Sequence, residues 1–287
     1  MHLLNANWAY RSTRHAIGAL LLLLLLLILP ERAGADPTDP RQVYQHGSAH
    51  WLNAIGQLKV PSSRLENGRR KHFYEDCSAT LIRENSANAA NASNTDAHHV
   101  LTAWHCLEHY HDLSRAIVFT LPHRKGEAIK RSATIIADGG SMAADWALLR
   151  LTSSISSEDA QPLSLNMDDS YHTEGNASKN SASQTAPANM PARMKVTMAG
   201  FSRDNGLGQK GTALTYDAQC NIQRLYNGIG ETDCTAFKGA SGGPVLQRNS
   251  EGQMVINGVI SQGDGAGYST YVTTDSFSAS VVPLLAH

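Results

Sequence analysis

Gly239-Ala240-Ser241-Gly242-Gly243-Pro244 is the stretch that decides how this chain reads, and two earlier stretches give it meaning: Thr102-Ala103-Trp104-His105-Cys106 and Asp145-Trp146-Ala147-Leu148-Leu149. A serine hydroxyl is a weak nucleophile at neutral pH, so it needs a base to take its proton and a third group to hold that base in the right tautomer. Ser241, His105 and Asp145 are the candidates for those three roles. The glycines beside the serine suit the same chemistry, because a chain without Cβ atoms turns sharply and aims backbone N–H groups at a developing oxyanion. Gly239 and Ser241 are the expected donors.

Chain order separates the folds that carry such a serine. Gly239-Ala240-Ser241-Gly242-Gly243 also fits the G-x-S-x-G turn of α/β-hydrolases, but there the histidine follows the serine, and the only histidine after Ser241 is His287. The order His, Asp, Ser is that of the chymotrypsin-like proteases. The chain resembles a trypsin-like (chymotrypsin-fold) serine protease of the secreted bacterial type. That family's TAxHC, DxALL and GxSGGP segments match residues 102–106, 145–149 and 239–244, with matching flanks from residue 54 to 273.

The resemblance implies an all-β fold of two antiparallel six-stranded β-barrels with a short C-terminal helix. It also implies a serine endopeptidase that hydrolyses polypeptides through an acyl-enzyme without a cofactor. Of the three pairings open to four cysteines, it selects Cys77 with Cys106 and Cys220 with Cys234. It places Ser261 and Gly263 on the strand that pairs with an extended substrate, Thr235 at the floor of the specificity pocket, Lys238 at its rim, and Gly263 and Gly267 around an open slot. Trypsin-type specificity needs an Asp where Thr235 stands, so the ion pair behind Arg/Lys preference is missing. Family zymogens also carry Asp immediately before the nucleophile, paired with a newly cut N-terminus; Ala240 has no charge to pair. The oxyanion loop is therefore expected to be ordered by its own packing and the Cys234 bridge, with residues 36–53 as a candidate pro-segment.

Other classes fit less well. An esterase using the same three residues and a non-catalytic binding protein on a protease fold are the alternatives. The histidines at 98, 99, 105, 109 and 111 raise a metal site, since His105 and His109 stand four apart, but H-E-x-x-H is absent and no metal is expected. The net charge is −1 and no long basic block occurs, which points away from nucleic acid and anionic membranes.

The chain opens with Arg11, Arg14 and His15, an apolar run from 16 to 29, and Ala33-Gly34-Ala35. This reads as a secretory signal peptide over 1–35, because the run is short for a membrane span. The expectation is a secreted or periplasmic monomer without stable membrane association once the leader is removed. Residues 36–155 read as an N-terminal barrel with His105 and Asp145, and 156–192 as an inter-barrel linker with a low-complexity insertion. Residues 193–287 read as a C-terminal barrel with Ser241. Short β-type segments are expected at 54–60, 78–82, 99–102, 117–121, 133–137, 146–151, 195–199, 213–222, 255–261 and 268–273. A brief helix is expected after His105 and another over 277–282, and a second polar insertion spans 84–97.

Overall fold

Along residues 117–121 the side chains of Ile117, Phe119 and Leu121 are buried while Val118 and Thr120 are half-exposed, the two-residue period of a strand with one face on a core. The structure, a computed structural model, describes residues 39–45, 47–83, 96–122, 126–167 and 195–286. The expected signal peptide over 1–35 lies outside the described residues, as do nearly all of the insertion at 84–97 and residues 168–192 of the low-complexity stretch.

The first barrel closes in the order β2 (Ile55–Glu66), β3 (Arg69–Ile82), β4 (Ala97–Thr102), β7 (Ala147–Ile155), β6 (Ile129–Asp138) and β5 (Ile117–Leu121). Leu58, Val60, Leu81, Val100, Phe119, Leu148 and Leu149 fill it, each contributing about 1.5–3 kcal/mol by leaving water. The second barrel runs β8 (Lys195–Gly200), β9 (Thr215–Tyr226), β10 (Ile229–Thr232), β13 (Ser269–Thr273), β12 (Met254–Gly263) and β11 (Pro244–Arg248). Pairing of β8 with β9 closes it. Val196, Met198, Ile222, Val245, Ile260 and Tyr271 form its core. Both are six-stranded and antiparallel, as the resemblance implied.

Other segments tie the barrels together. The two-residue strand β1 (Gln42–Val43) adds to the outer edge of β9. Residues 163 and 165 bridge Ile82 of the first barrel and Ile256 of the second, so the described part of the 156–192 linker is docked on both. Helix α1 (Ser278–Leu285) follows Phe277, whose ring stacks on Trp146 with centroids 5.7 Å apart.

Several expectations need correcting in detail. The hairpin of β2 and β3 is far longer than the segments 54–60 and 78–82, with paired residues out to Glu66 and Arg69. β1, β10 and β11 are strands outside all of the expected segments. Where a brief helix was expected after His105, a single 3-10 turn spans Trp104–Cys106.

Candidate active site

His105 sits in that 3-10 turn immediately after β4, and Asp145 just before β7. These strands pair side by side, Thr102 opposite Ala147, so residues 40 apart in sequence meet. Asp145 is fully buried, and an ionised carboxylate there needs donors to offset its lost hydration. It has three: the His105 backbone N–H at 2.9 Å, His105 Nδ1 at 2.8 Å, and the Ser261 hydroxyl. Because a carboxylate only accepts, Nδ1 carries the proton and Nε2 of the neutral ring is left with a lone pair. The imidazole is one-quarter exposed, enough to open it to the cleft.

Ser241 comes from the second barrel, at the turn entering β11. Its hydroxyl donates a long bond of 3.5 Å to the Ser261 carbonyl and is not bonded to His105. Such contacts commonly tighten only with substrate in place. The Cys106 sulfur marks their nearness: it lies 3.9 Å from His105 Nε2 and 4.0 Å from the Ser241 carbonyl oxygen.

The backbone around the serine alternates. The N–H groups of Ala240, Gly242 and Gly243 are bonded to Phe237, Ile260 and Ala240 carbonyls, whereas those of Gly239 and Ser241 have no partner among the described residues. Two unused donors one residue apart are what an anion-binding turn presents. Gly239 has φ +97°, and a Cβ there would run into the Phe201 carbonyl and the Arg203 side chain. No other residue fits without moving the loop.

Ser78, which the sequence reading did not single out, holds this turn in place. Its N–H donates to the Ser241 carbonyl at 2.8 Å, and its hydroxyl donates to the Gly239 carbonyl while accepting from the Phe201 N–H, both at 2.8 Å. The position next to Cys77 was the available signal. Cys77 bonds to Cys106 and Cys220 to Cys234, with no free cysteine among the described residues. The sulfurs beside His105 are therefore not thiolates, and Nδ1 is committed to Asp145, so this cluster is a poor metal site. His109 instead meets the edges of Phe73 and His111.

Ser261 is the extra residue of a bulge in β12, since Ile260 pairs Tyr271 and Gln262 pairs Thr270. A bulge re-aims a side chain, and here it turns the Ser261 hydroxyl onto Asp145 and its carbonyl toward Ser241. Thr235 is buried, its N–H bonded to Asp217 at 3.1 Å, while Lys238 is exposed. Of the open slot expected around Gly263 and Gly267, the Gly263 side lies against the 235–238 segment, whereas a Cβ on Gly267 would meet only the Asp233 carbonyl at 3.7 Å. Gly265 N–H bonds to the Ala236 carbonyl at 3.0 Å, and a Cβ on Gly263 would lie 2.8 Å from that of Ala236. At Gly265 it would strike the Phe237 ring. Ser269, opposite Gly263 on β13, bonds its hydroxyl to the Cys234 carbonyl at 2.9 Å. A flat side chain needs roughly 7 Å between two walls, a carbon contact distance on each face, and these walls touch.

A sequence model of the family described as Trypsin matches residues 66–281. Among solved structures, the protease Anisep from Arthrobacter nicotinovorans superposes with a TM-score of 0.51 at 16% identity, covering 83% of this chain and 98% of that one. The thermostable serine protease AL20 from an extremophilic microorganism gives 0.50 at 17% identity, covering 82% and 97%. At these identities the likeness is one of fold. No curated protein sequence matches the chain.

Proposed function

The chain belongs to the trypsin family of serine endopeptidases, and on that premise we propose that it cleaves polypeptides by a Ser-His-Asp mechanism through an acyl-enzyme. Ser241 Oγ attacks the scissile carbonyl while His105 Nε2 takes its proton. The imidazolium that forms is stabilised by the buried Asp145 carboxylate, then gives the proton to the leaving amine. Water attacks the acyl-enzyme with His105 again as base, and the Ser241 hydroxyl is restored. The Gly239 and Ser241 N–H groups receive the oxyanion at both steps, each worth on the order of 3 kcal/mol. The single observation that carries the reading is that unused pair of N–H groups beside the serine.

The substrate strand lies along Ser261 and Gly263 by main-chain pairing. All these groups come from one chain, so a monomer suffices. Two disulfides and the leader-like residues 1–35 support a secreted or periplasmic protein. Among the described residues no helix is long and apolar enough to cross a membrane.

The test is chemical. A serine-phosphonylating reagent should label Ser241 alone, and Ser241→Ala should abolish hydrolysis of a denatured protein while the melting temperature stays within a few degrees. Peptidase activity surviving in a pure Ser241→Ala preparation would sink the mechanism.

A further inference from the structure

Arg41 lies in the segment before the first barrel, yet its guanidinium is packed into the second, with its side chain only 2% exposed. A buried cation is costly unless paired on all sides. Arg41 bonds the Asp39 carboxylate through Nε and Nη2, at 3.0 and 2.7 Å, and Asp204, 163 residues away, through Nη1 at 2.8 Å. It also covers the Phe237 ring at 4.3 Å. The segment that delivers it is itself pinned. β1 pairs with β9, Tyr44 N–H bonds the Leu214 carbonyl at 2.8 Å, and the Tyr44 hydroxyl bonds Asn53 at 2.6 Å.

Two of the guanidinium's three partners, Phe237 and Asp204, lead to the turn that carries Gly239. On one side the Phe237 carbonyl accepts the Ala240 N–H at 3.0 Å. On the other, Asp204 gathers its own loop by accepting the Gly208 N–H at 3.1 Å. Its neighbour Arg203 donates its N–H to the Lys238 carbonyl at 2.7 Å and lays its side chain where a Cβ on Gly239 would have to go. Ala240 offers no charge of its own to fix the turn.

We propose that Arg41 is the positioning residue of the oxyanion loop, a cation supplied from within the chain that orders the loop through Phe237 and Asp204 without any newly cut N-terminus. It rests on the peptidase reading of Ser241. It also gives residues 39–45 a supporting role in place of the cleft-blocking one open to a pro-segment.

The test uses the full chain with Arg41→Met, Arg41→Lys and Asp204→Asn. Amide hydrogen exchange is followed over 203–211 and 236–241, with β5 to β7 as internal reference, and kcat and KM are measured on a peptide. Arg41→Met should speed exchange in those two segments alone and lower kcat roughly 100- to 1,000-fold, the size of a lost oxyanion donor, with KM changed only a few-fold. Arg41→Lys keeps the charge without the planar fork and should fall between. Should Arg41→Met fail to fold, Arg41→Lys and Asp204→Asn must show the same localised exchange and kcat loss. Exchange unchanged or raised evenly, or kcat unchanged, in the folded variants overturns the proposal. Exchange is read whether or not the protein cleaves anything, so an inactive wild type counts against the peptidase reading and leaves the clasp to be decided separately.

Discussion

Two histidines of the first barrel, His99 on β4 and His105 in the turn after it, show how completely the surroundings of a residue set its chemistry. His105 faces a buried carboxylate that fixes its proton on Nδ1. His99, on β4, is buried with Nε2 unbonded, and burial first, then the Arg150 charge, pushes its pKa from 6.5 down to about 4. Between those values the unfolded chain binds a proton that the folded one refuses, so stability falls as pH drops through that window. Thermal melts from pH 7 to pH 4 should show the wild type losing stability from about 6.5 downward, with His99→Leu visibly flatter; parallel curves would refute the assignment. In sequence the two were equally plain members of one histidine cluster. His105, Asp145 and Ser241 were legible because their flanking residues form motifs. Ser78 and Arg41 are far less so: adjacency to Cys77 is the one local mark on Ser78, and the partners that matter, Phe201, Gly239 and Asp204, lie 123 to 163 residues away.

At the level of elements, the sequence signal was strongest where strands alternate and weakest where both faces are polar. Residues 62–76 run Ser-Ser-Arg-Leu-Glu, Asn-Gly, then Arg-Arg-Lys-His-Phe-Tyr-Glu-Asp, with no apolar period. They still form the outer half of the β2–β3 hairpin, because Asn67 and Gly68, at φ +49° and +75°, supply the tight turn for which Asn-Gly is the recognised signature. The specificity pocket is hard to read from sequence for a different reason: a glycine such as Gly263 can leave room for a substrate or, as here, let its backbone close on Ala236. With 235–237 and 263–265 in contact, a long or flat P1 side chain has no slot. We expect cleavage sites in a denatured protein digest, read by mass spectrometry, to be dominated by Gly, Ala and Ser at P1. Enrichment of Arg, Lys or aromatic residues there would mean that 263–265 swings aside on binding, and this expectation would fall.

In the whole molecule the candidate groups are divided, His105 and Asp145 on one barrel, Ser241 and the N–H pair on the other, so the chemistry depends on how firmly the barrels are joined at that seam. Beside the Gln57 amide on the Gly211 carbonyl and the Arg203–Asp76 pair, two serines join the barrels at the site itself. Ser261, from the second barrel, reaches Asp145. Ser78, from β3 of the first, takes hold of the Gly239 carbonyl, the Phe201 N–H and the Ser241 carbonyl, with its own carbonyl accepting the Thr102 hydroxyl at 2.8 Å. Ser78 is fully buried, so water cannot replace its hydroxyl without repacking. Ser78→Ala strands one acceptor and one donor, a loss of roughly 1–3 kcal/mol for each buried group left unbonded, while the backbone bond to Ser241 survives. The same substitution at Ser62 is a fitting control, because its buried hydroxyl makes only a local 3.3 Å bond to the Val60 carbonyl. Urea unfolding should therefore place Ser78→Ala well below Ser62→Ala in stability. Its folded fraction should also lose kcat more than KM, since the turn bearing the Gly239 N–H is no longer held from across the cleft. Equal midpoints for the two variants, with kcat untouched, would show that the seam is held by its apolar contacts, Leu52, Ile55, Ala199, Phe201 and Leu214, and that the Ser78 hydroxyl merely fills space between them.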